Sequence, residues 1–131
     1  MVEMKAIGYV HTDATELPRH WSVSGVEGDL EIFDEYLEAL TDVEPGQRIV
    51  VLFYFHKSPE FGPQYLKQKP PHRTEKMGVF SICSPVRPNP IGLSVVEVLS
   101  RQGGRIHVKG LDMLDGTPIL DVKPHVEAAP R

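Results

Sequence analysis

The sequence predicts a mainly β protein: a single domain built on a coiled or barrel-like sheet of about six or seven strands, with one short helix. The chain has 131 residues, which is the size of one domain with its own core. Its 12 prolines and 11 glycines favour short strands joined by stiff turns over a helical bundle. A strongly coiled sheet suits so short a β chain, because it leaves few strand edges exposed.

The N-terminal part is predicted to contain two short strands and the helix. Met4–His11 alternates apolar residues between two faces, as a strand does, whereas residues 12–28 show no clear period and are predicted to form a long loop. Asp29–Phe33 is a short strand candidate, and Asp34–Leu40 is predicted to be a helix capped by its aspartate. A single helix over residues 30–40 is the alternative, since apolar residues recur there at helical spacing.

The clearest strand is Arg48–His56, which is apolar over most of its length and is therefore expected at the centre of the sheet. Residues 57–77 are polar and contain four prolines, which predicts either a functional lid or a disordered excursion. Pro85–Pro90 is predicted to be a rigid, non-helical connection. The remaining strand candidates are Gly78–Ser84, Leu93–Ser100, Arg105–Asp112 and Ile119–Val122, of which the second and third are predicted to pair as a hairpin.

Charge is unevenly distributed along the chain, whose net charge is −4. Residues 27–44 contain eight acidic residues and no lysine or arginine, whereas residues 56–90 contain six basic residues and two acidic ones. The basic segment could attract a polyanion such as a nucleic acid. A solvated loop that balances the acidic segment is the alternative.

The sequence predicts a cytoplasmic protein with no membrane association. No apolar run approaches the roughly 18–20 residues that a membrane span needs, and the N-terminus lacks the basic-then-apolar pattern of a secretory leader. Cys83 is the only cysteine, so no internal disulfide can form and a reducing compartment fits.

Two stretches of the sequence are distinctive. In Gly78–Ser94, two prolines hold Arg87 and Asn89 in extended conformations, so both side chains are presented at low entropic cost. A structural corner at a strand end is the alternative.

The second stretch, Leu111–Pro124, contains an ordinary Asp-Gly turn, but also three aspartates and a lysine close together. That composition suggests carboxylates available to ribose hydroxyls or to an ammonium group.

Together these stretches resemble the TsaA-like, or TrmO, family, whose pattern runs close to G-x-F-A-T-R-S-P-x-R-P-N-P-I-G-L-S and then D-x-x-D-G-T-P-x-x-D-I-K-P. Both occur here in order, and Ile7–His11, Pro18–His20 and Phe55–His56 also look like family positions. We therefore expect residues 1–131 to form a single TsaA-like domain. The resemblance implies a homodimer that binds S-adenosyl-L-methionine and methylates N6 of a threonylcarbamoyl-modified adenosine beside the tRNA anticodon.

The resemblance also implies a site. Arg87 and Asn89 are expected to position the substrate or to brace their loop. No residue is assigned as a general base, and no metal is expected. The cofactor contacts carried over from the family motifs are Pro18, Arg19, His20, His56, Lys57, Cys83, Leu93, Asp115, Gly116, Thr117 and Pro118.

The sequence departs from the family pattern at three places. Ile82-Cys83 stands where the family has Thr-Arg, so an expected guanidinium is missing. His125 stands where a tyrosine is typical, and because the chain ends at Arg131 we expect the C-terminal extension of the longer bacterial enzymes to be absent. These departures leave an S-adenosylmethionine-binding module, or a methyltransferase for a small-molecule substrate, as the alternative function.

Three other interpretations rank lower. Cys83 could act as a nucleophile with His56, His72 or His107 as its base, but a lone cysteine on a strand is usually a small buried apolar residue. A zinc site would have to be assembled by the fold, since no pair of residues has metal-binding spacing. Trp21 could stack on a nucleic-acid base or pack within the protein.

Overall fold

The structure is a computed structural model that describes residues 1–127, in which eight β-strands and four short 3-10 helices follow one another. The strands are β1 (Gly8–His11), β2 (Glu27–Ile32), β3 (Arg48–Tyr54), β4 (Lys67–Gln68), β5 (Met77–Gly78), β6 (Ile91–Gln102), β7 (Arg105–Lys109) and β8 (Pro118–Pro124). The 3-10 helices are Trp21–Val23, Asp34–Leu40, Pro63–Tyr65 and Val79–Ser81. No helix among these residues has the length and apolar character that crossing a membrane requires.

Six strands pair side by side, all antiparallel, in the ring order β1, β2, β7, β6, β3, β8. The β8–β1 seam is the shortest and consists of the pairs Gly8–Ile119 and Tyr9–Pro118. A bulge between Val98 and Ser100 bends β6, which pairs with β3 through its first half and with β7 through its second. The prediction of a mainly β, barrel-like sheet of about six or seven strands is confirmed, and β4 and β5 form a separate ribbon.

The inward-facing residues of the ring form the core. In β3, Ile49, Val51 and Phe53 are buried while the residues between them are more exposed, so this strand is buried on one face only. It pairs with β6 on one side and with β8 on the other, as each strand of a closed ring pairs with two neighbours, so the predicted central position does not distinguish it. The fully buried apolar side chains are Val10, Leu30, Val51, Val96, Val98, Ile106, Val108, Leu111 and Ile119.

The predicted helix forms over Asp34–Leu40, but it is a 3-10 helix. Phe33 occupies the capping position and no side chain caps the helix, so the predicted cap at Asp34 is wrong. Asp34 lies instead in the first turn, where a carboxylate is favourable. The alternative helix over residues 30–40 is also wrong, because Leu30 lies within β2 and points into the core.

Several predicted boundaries shift. β1 begins at Gly8 rather than Met4, and the loop predicted over residues 12–28 contains a 3-10 helix and ends where β2 begins. The predicted strand Gly78–Ser84 is wrong, because β4 offers only two residues for pairing. After that pairing a 3-10 turn buries Val79 and leaves Phe80 exposed. The predicted hairpin is confirmed, with Gly103 in a left-handed conformation between β6 and β7.

Residues 57–90, which we call the excursion, connect β3 to β6 and fold back on themselves. Gln68 Nε2 donates to the carbonyl oxygens of Tyr65 (2.7 Å) and Val86 (2.8 Å), and Ser58 Oγ donates to that of Pro85 (3.1 Å). Side-chain bonds to backbone carbonyls therefore hold a segment that has little regular structure of its own.

Candidate functional site

One end of the barrel collects most of the distinctive sequence. Because the ring is antiparallel, β1, β3 and β7 finish at this end, and β2, β6 and β8 start there. The turn that precedes β8 and the loop that follows β1 therefore meet at what we call the motif end. The helix Asp34–Leu40 follows β2 at the opposite end.

The turn over residues 115–118 is fixed to β1 by backbone hydrogen bonds. The Gly116 amide donates to the Val10 carbonyl oxygen (2.8 Å), and the Val10 amide donates to that of Thr117 (2.9 Å). Thr117 is buried, and its hydroxyl donates to the Leu114 carbonyl oxygen (2.6 Å). Gly116 has a φ of +80°, and no atom lies within 4 Å of the place a β-carbon would take. The turn is thus preformed, with its backbone facing open space.

The Asp115 carboxylate links this turn to the loop after β1. Its Oδ1 accepts a hydrogen bond from the Thr12 amide (3.0 Å) and lies 3.9 Å from His11 Nδ1. His11 Nε2 in turn lies 2.9 Å from a Glu31 oxygen. One oxygen of Asp115 is thus held by the protein, while the exposed side chain leaves the other accessible to a ligand.

Asp112 is the most enclosed carboxylate of the motif end; the sequence-based prediction includes it among the three aspartates of the second stretch but does not assign it a cofactor contact. The fully buried Ser94 hydroxyl donates to Asp112 Oδ1. Burial raises the pKa of Asp112, and the Ser94 hydrogen bond, the neighbouring His20 and the amides of Asp112 and Trp21 oppose that rise only in part. The contact joins residues 18 positions apart, so only the folded chain reveals it.

The predicted segment Pro18–His20 lies in the loop between β1 and β2. His20 caps the 3-10 helix that follows it, since its Nδ1 accepts a hydrogen bond from the Ser22 amide (3.2 Å). Just after that helix, Ser24 Oγ donates to the Leu111 carbonyl oxygen (2.5 Å). The loop therefore packs against the residues that precede the turn 115–118, and it brings Pro18–His20 to the motif end.

The excursion starts and finishes beside the same end. His56 and Lys57 lie two and three residues after the end of β3, and the intervening Phe55 amide donates to the Pro90 carbonyl oxygen (2.8 Å). The Lys57 side chain is exposed, whereas that of His56 is half-buried.

Arg87 braces its own loop, one of the two roles expected of it. Its NH1 group donates to the carbonyl oxygens of Ile82 (2.9 Å) and Ser84 (3.0 Å). These two residues flank Cys83, whose thiol is exposed. The expectation that a lone cysteine on a strand would be buried is therefore wrong here, because the segment is neither a strand nor part of the core.

Three predicted residues lie on the outside of the barrel. Leu93 faces outward from β6 and is 52% exposed. Asn89 and Pro118 line a groove of about 700 Å³ on the outer face, together with the aromatic rings of Tyr9 and Tyr54. The structure thus divides the predicted site residues between the motif end, the adjoining excursion and this groove.

Other predicted chemistry finds less support in the geometry. Both ring nitrogens of His107 lie 2.8 Å from carboxylate oxygens, those of Asp29 and Glu27, so this histidine is not free to act as a base for Cys83. Trp21 packs against the His20 ring, with centroids 4.9 Å apart. Among residues 1–127, no group of three or more histidine, cysteine or acidic side chains is arranged to hold a metal ion.

The three aspartates of the second distinctive stretch do not form one cluster. Asp112 and Asp115 lie at the motif end, whereas Asp121 lies along β8 and pairs with Lys123 (3.1 Å). The suggestion of several carboxylates acting together therefore applies to two of them.

Comparison with known families identifies this arrangement. A family model described as the tRNA-methyltransferase O N-terminal domain matches residues 7–130. The chain belongs to this family. The family resemblance drawn from the two distinctive stretches is thereby confirmed, and the match includes the preformed turn, the loop after β1 and the excursion.

Curated relatives support the assignment. A probable S-adenosyl-L-methionine-binding protein from Pyrococcus abyssi is 38% identical over 130 residues, which cover 96% of this chain and 69% of the relative. A tRNA (adenine(37)-N6)-methyltransferase from Mus musculus is 39% identical over 95 residues, or 72% of this chain and 22% of the mouse protein. This chain therefore corresponds to a small part of the mouse enzyme.

A solved structure of a TrmO family member agrees with the fold. The crystal structure of TrmO from Pseudomonas aeruginosa superposes with a TM-score of 0.75 and 33% sequence identity. The match covers 96% of this chain and 55% of the TrmO chain, so this chain spans about half the length of that protein.

Proposed function

We propose that this chain is an S-adenosylmethionine-dependent methyltransferase that acts on N6 of an adenosine in tRNA, with threonylcarbamoyl-modified adenosine as the acceptor. The observation that carries the proposal is the preformed turn 115–118, which is bonded at Thr12 to the start of the loop that contains Pro18–His20, at one end of a TrmO-family barrel. Family membership supports the reaction class, and the geometry of the motif end supports the choice of site.

The motif end suits a nucleoside cofactor. The open backbone at Gly116 allows close approach of a flat or extended ligand, because no side chain covers it. The accessible oxygen of Asp115 can accept hydrogen bonds from ribose hydroxyls. Arg19, in the loop between β1 and β2, is exposed and can pair with the carboxylate of the cofactor. The family arginine, which Cys83 replaces in this chain, would suit the same role.

The cofactor, when bound, supplies a methyl group that is already activated on a sulfonium centre. The protein then has to bind both reactants, align them and exclude water. In this proposal residues 115–118 hold the cofactor from one side, and Pro18–His20, His56 and Lys57 close the other. No side chain is assigned as a base.

The excursion is the part of the chain best suited to RNA. Lys67 pairs with Gly78 across the β4–β5 ribbon, Lys76 immediately precedes β5, and Phe80, which is 82% exposed, follows two residues after that ribbon. Exposed aromatic rings stack on unpaired bases, and lysines neutralise phosphates. An anticodon loop offers both partners in a single-stranded form.

We also propose that the chain forms a homodimer through the outer groove. Tyr9 and Tyr54 line this groove and expose 39% and 43% of their surface, and Leu93, on the outer face of β6, exposes 52%. Exposed apolar side chains grouped on one face are typical of an interaction surface. Light scattering should give twice the chain's 14.7 kDa mass, whereas a monomer mass at high concentration would rule the dimer out.

The alternative function is an S-adenosylmethionine-binding module, or a methyltransferase for a small molecule. Cys83 in place of the family arginine favours it, since a thiol cannot supply a guanidinium's paired donors. The excursion's cations favour RNA instead.

The test is an in-vitro methylation assay with three substrates, followed by mass spectrometry of the nucleosides. Purified protein and S-adenosylmethionine are incubated with tRNA carrying threonylcarbamoyl-adenosine, with the same tRNA lacking that group, and with the free nucleoside. Methylation of the modified tRNA alone is expected. Methylation of unmodified tRNA would overturn the acceptor, and methylation of the nucleoside as fast as of tRNA would favour the small-molecule alternative. Cofactor binding without transfer would favour the module, and no binding would overturn the proposal.

A further inference from the structure

We propose that Asp112 is a positioning residue whose negative charge holds the loop of Pro18–His20 over the turn 115–118. The expected effect of Asp112 on cofactor binding rests on the proposed function, whereas its attachment of the loop does not. The only tryptophan of the chain, Trp21, lies in this loop and provides a direct optical probe of its attachment.

The C-terminal part of the loop runs alongside the residues that lead to Asp112. The Val26 carbonyl oxygen accepts hydrogen bonds from the amides of Gly110 (2.9 Å) and Leu111 (3.1 Å), and Ser24 Oγ donates to the Leu111 carbonyl oxygen (2.5 Å). Where this alignment continues, the Trp21 amide and the His20 ring are among the neighbours that favour the ionised Asp112 carboxylate. The carboxylate is thus one attachment point of the loop near Trp21, and the Arg48 guanidinium, which lies 6.0 Å from the centre of the Trp21 ring, is another.

The rest of the loop has few attachments of its own. Among residues 1–127, the hydrogen bonding of residues 13–19 consists of the Ala14 amide donating to Thr12 Oγ1 (3.2 Å). The position of Pro18–His20 therefore depends on what holds the chain at His20 and Trp21. An ionised carboxylate makes stronger hydrogen bonds to amides than a neutral acid does.

The surroundings of Asp112 make its charge adjustable. Burial raises the pKa of Asp112, whereas the Ser94 hydrogen bond and the nearby His20 ring favour its ionised form. On the neighbouring strands, the charged residues Arg48 of β3, Glu97 of β6 and Lys109 of β7 lie opposite one another in register, and the remaining charged residues are Arg101 on β6 and Arg105 and His107 on β7. When the carboxylate becomes protonated, it accepts hydrogen bonds more weakly and no longer attracts the His20 ring. The loop is then less firmly attached at acidic pH.

The experiment is a pH titration of Trp21 fluorescence without cofactor. The wild-type protein should show a transition at a pH above the ordinary range of an aspartate, and Asp112→Asn should lack it. Asp42→Asn, on the exposed surface at the other end, is the matched control and should behave as the wild type. The same transition in the wild type and in Asp112→Asn would overturn the proposal.

Ser94→Ala provides a second and sign-specific test, which remains available if Asp112→Asn fails to fold. Removing the hydroxyl removes a hydrogen bond that favours the ionised carboxylate, so the transition should move to higher pH. An unchanged or lower midpoint would contradict the proposal.

Cofactor measurements separate this proposal from the proposed function. Asp112→Asn should raise KM for S-adenosylmethionine about tenfold and leave kcat within about twofold, because the residue acts through the loop and not on the reacting atoms. A loss confined to kcat would contradict the positioning role. If the wild type binds no S-adenosylmethionine, the proposed function fails while the fluorescence result still stands.

Discussion

The two distinctive stretches, Gly78–Ser94 and Leu111–Pro124, are supported in different ways. The second is part of the barrel: Leu111 and Thr117 are buried, and the turn between them is bonded to β1. The first lies largely outside it, and its loop is held by side-chain bonds from Arg87, Gln68 and Ser58 to its backbone carbonyls. Its prolines and exposed Cys83 contribute little to the core.

This difference separates stability from ligand contact. The turn 115–118 is in place before any ligand binds, since its bonds are those of the folded barrel. The excursion can change in sequence at little cost to the fold, and the replacement of the family arginine by Cys83 lies there. Substitutions in the second stretch should therefore unfold the protein, and those in the first should change binding.

The largest effect is expected from Leu111→Ala. Removing a fully buried leucine should lower the free energy of unfolding by about 2–5 kcal/mol. Phe80→Ala, in the other stretch, is the matched control: its ring is 82% exposed, and the change should stay within about 0.5 kcal/mol. Urea unfolding measures both, and equal losses would erase the distinction between the two stretches.

Cys83→Arg should act on binding and leave stability unchanged. Restoring a guanidinium at the exposed position should tighten S-adenosylmethionine binding by about ten- to a hundredfold, the equivalent of one charge-assisted hydrogen bond. Calorimetry gives the affinity. Alkylation of Cys83 in the wild type gives an independent reading, because the bound cofactor should protect the thiol. A variant that binds no better, together with equal labelling in both states, would place position 83 away from the ligand.

Two glycines, one in each stretch, test the backbone directly. Gly116→Ala should cost about 1–2 kcal/mol, because a residue with a β-carbon is strained at a φ of +80°. Gly78→Ala is the control, since its φ of −60° suits alanine and no atom lies within 4 Å of the added carbon. Thermal unfolding should show a loss only for Gly116→Ala. A comparable loss at Gly78 would mean that the excursion is as constrained as the turn.

The smallest effect is expected at the barrel wall, outside both stretches. The hydrogen bond to Asp29, and to a smaller extent the one to Glu27, raises the pKa of His107 above its unfolded value of 6.5. Its stabilising contribution is therefore fully present below that value and is lost as pH rises through the folded pKa. Because the side chain is partly exposed, the change should be under about 1 kcal/mol. His107→Gln should remove this pH dependence, and an unchanged stability curve in the variant would refute the account.

The sequence predicts those features of the fold that depend on local patterns. The hairpin around Gly103 follows from two strand patterns separated by glycines, and the turn at Asp115-Gly116 follows from ordinary turn chemistry. The predicted strand Gly78–Ser84 fails because strand residues need a partner, and only Met77–Gly78 has one. Local propensity does not reveal where a partner ends.

The candidate site shows the same limit. Asp115 and the loop Pro18–His20 were predicted from motifs, and the structure brings them to one end of the barrel. The contact between Ser94 and Asp112 could not be predicted, because it depends on how β6 and the segment after β7 meet in three dimensions. Whether this polar pair is buried depends on how the two segments pack together and not on the sequence of either segment alone.

Hydrogen exchange with and without S-adenosylmethionine tests the central claim most directly. The cofactor should slow exchange in the loop of Pro18–His20, in the turn 115–118 and around Cys83, with the larger change in the loop and the excursion because the turn is already bonded. The groove of about 750 Å³ at the opposite end, lined by Tyr36 and His125, should be unaffected. Protection confined to that opposite groove, or no protection anywhere, would contradict the assignment of the motif end as the cofactor site.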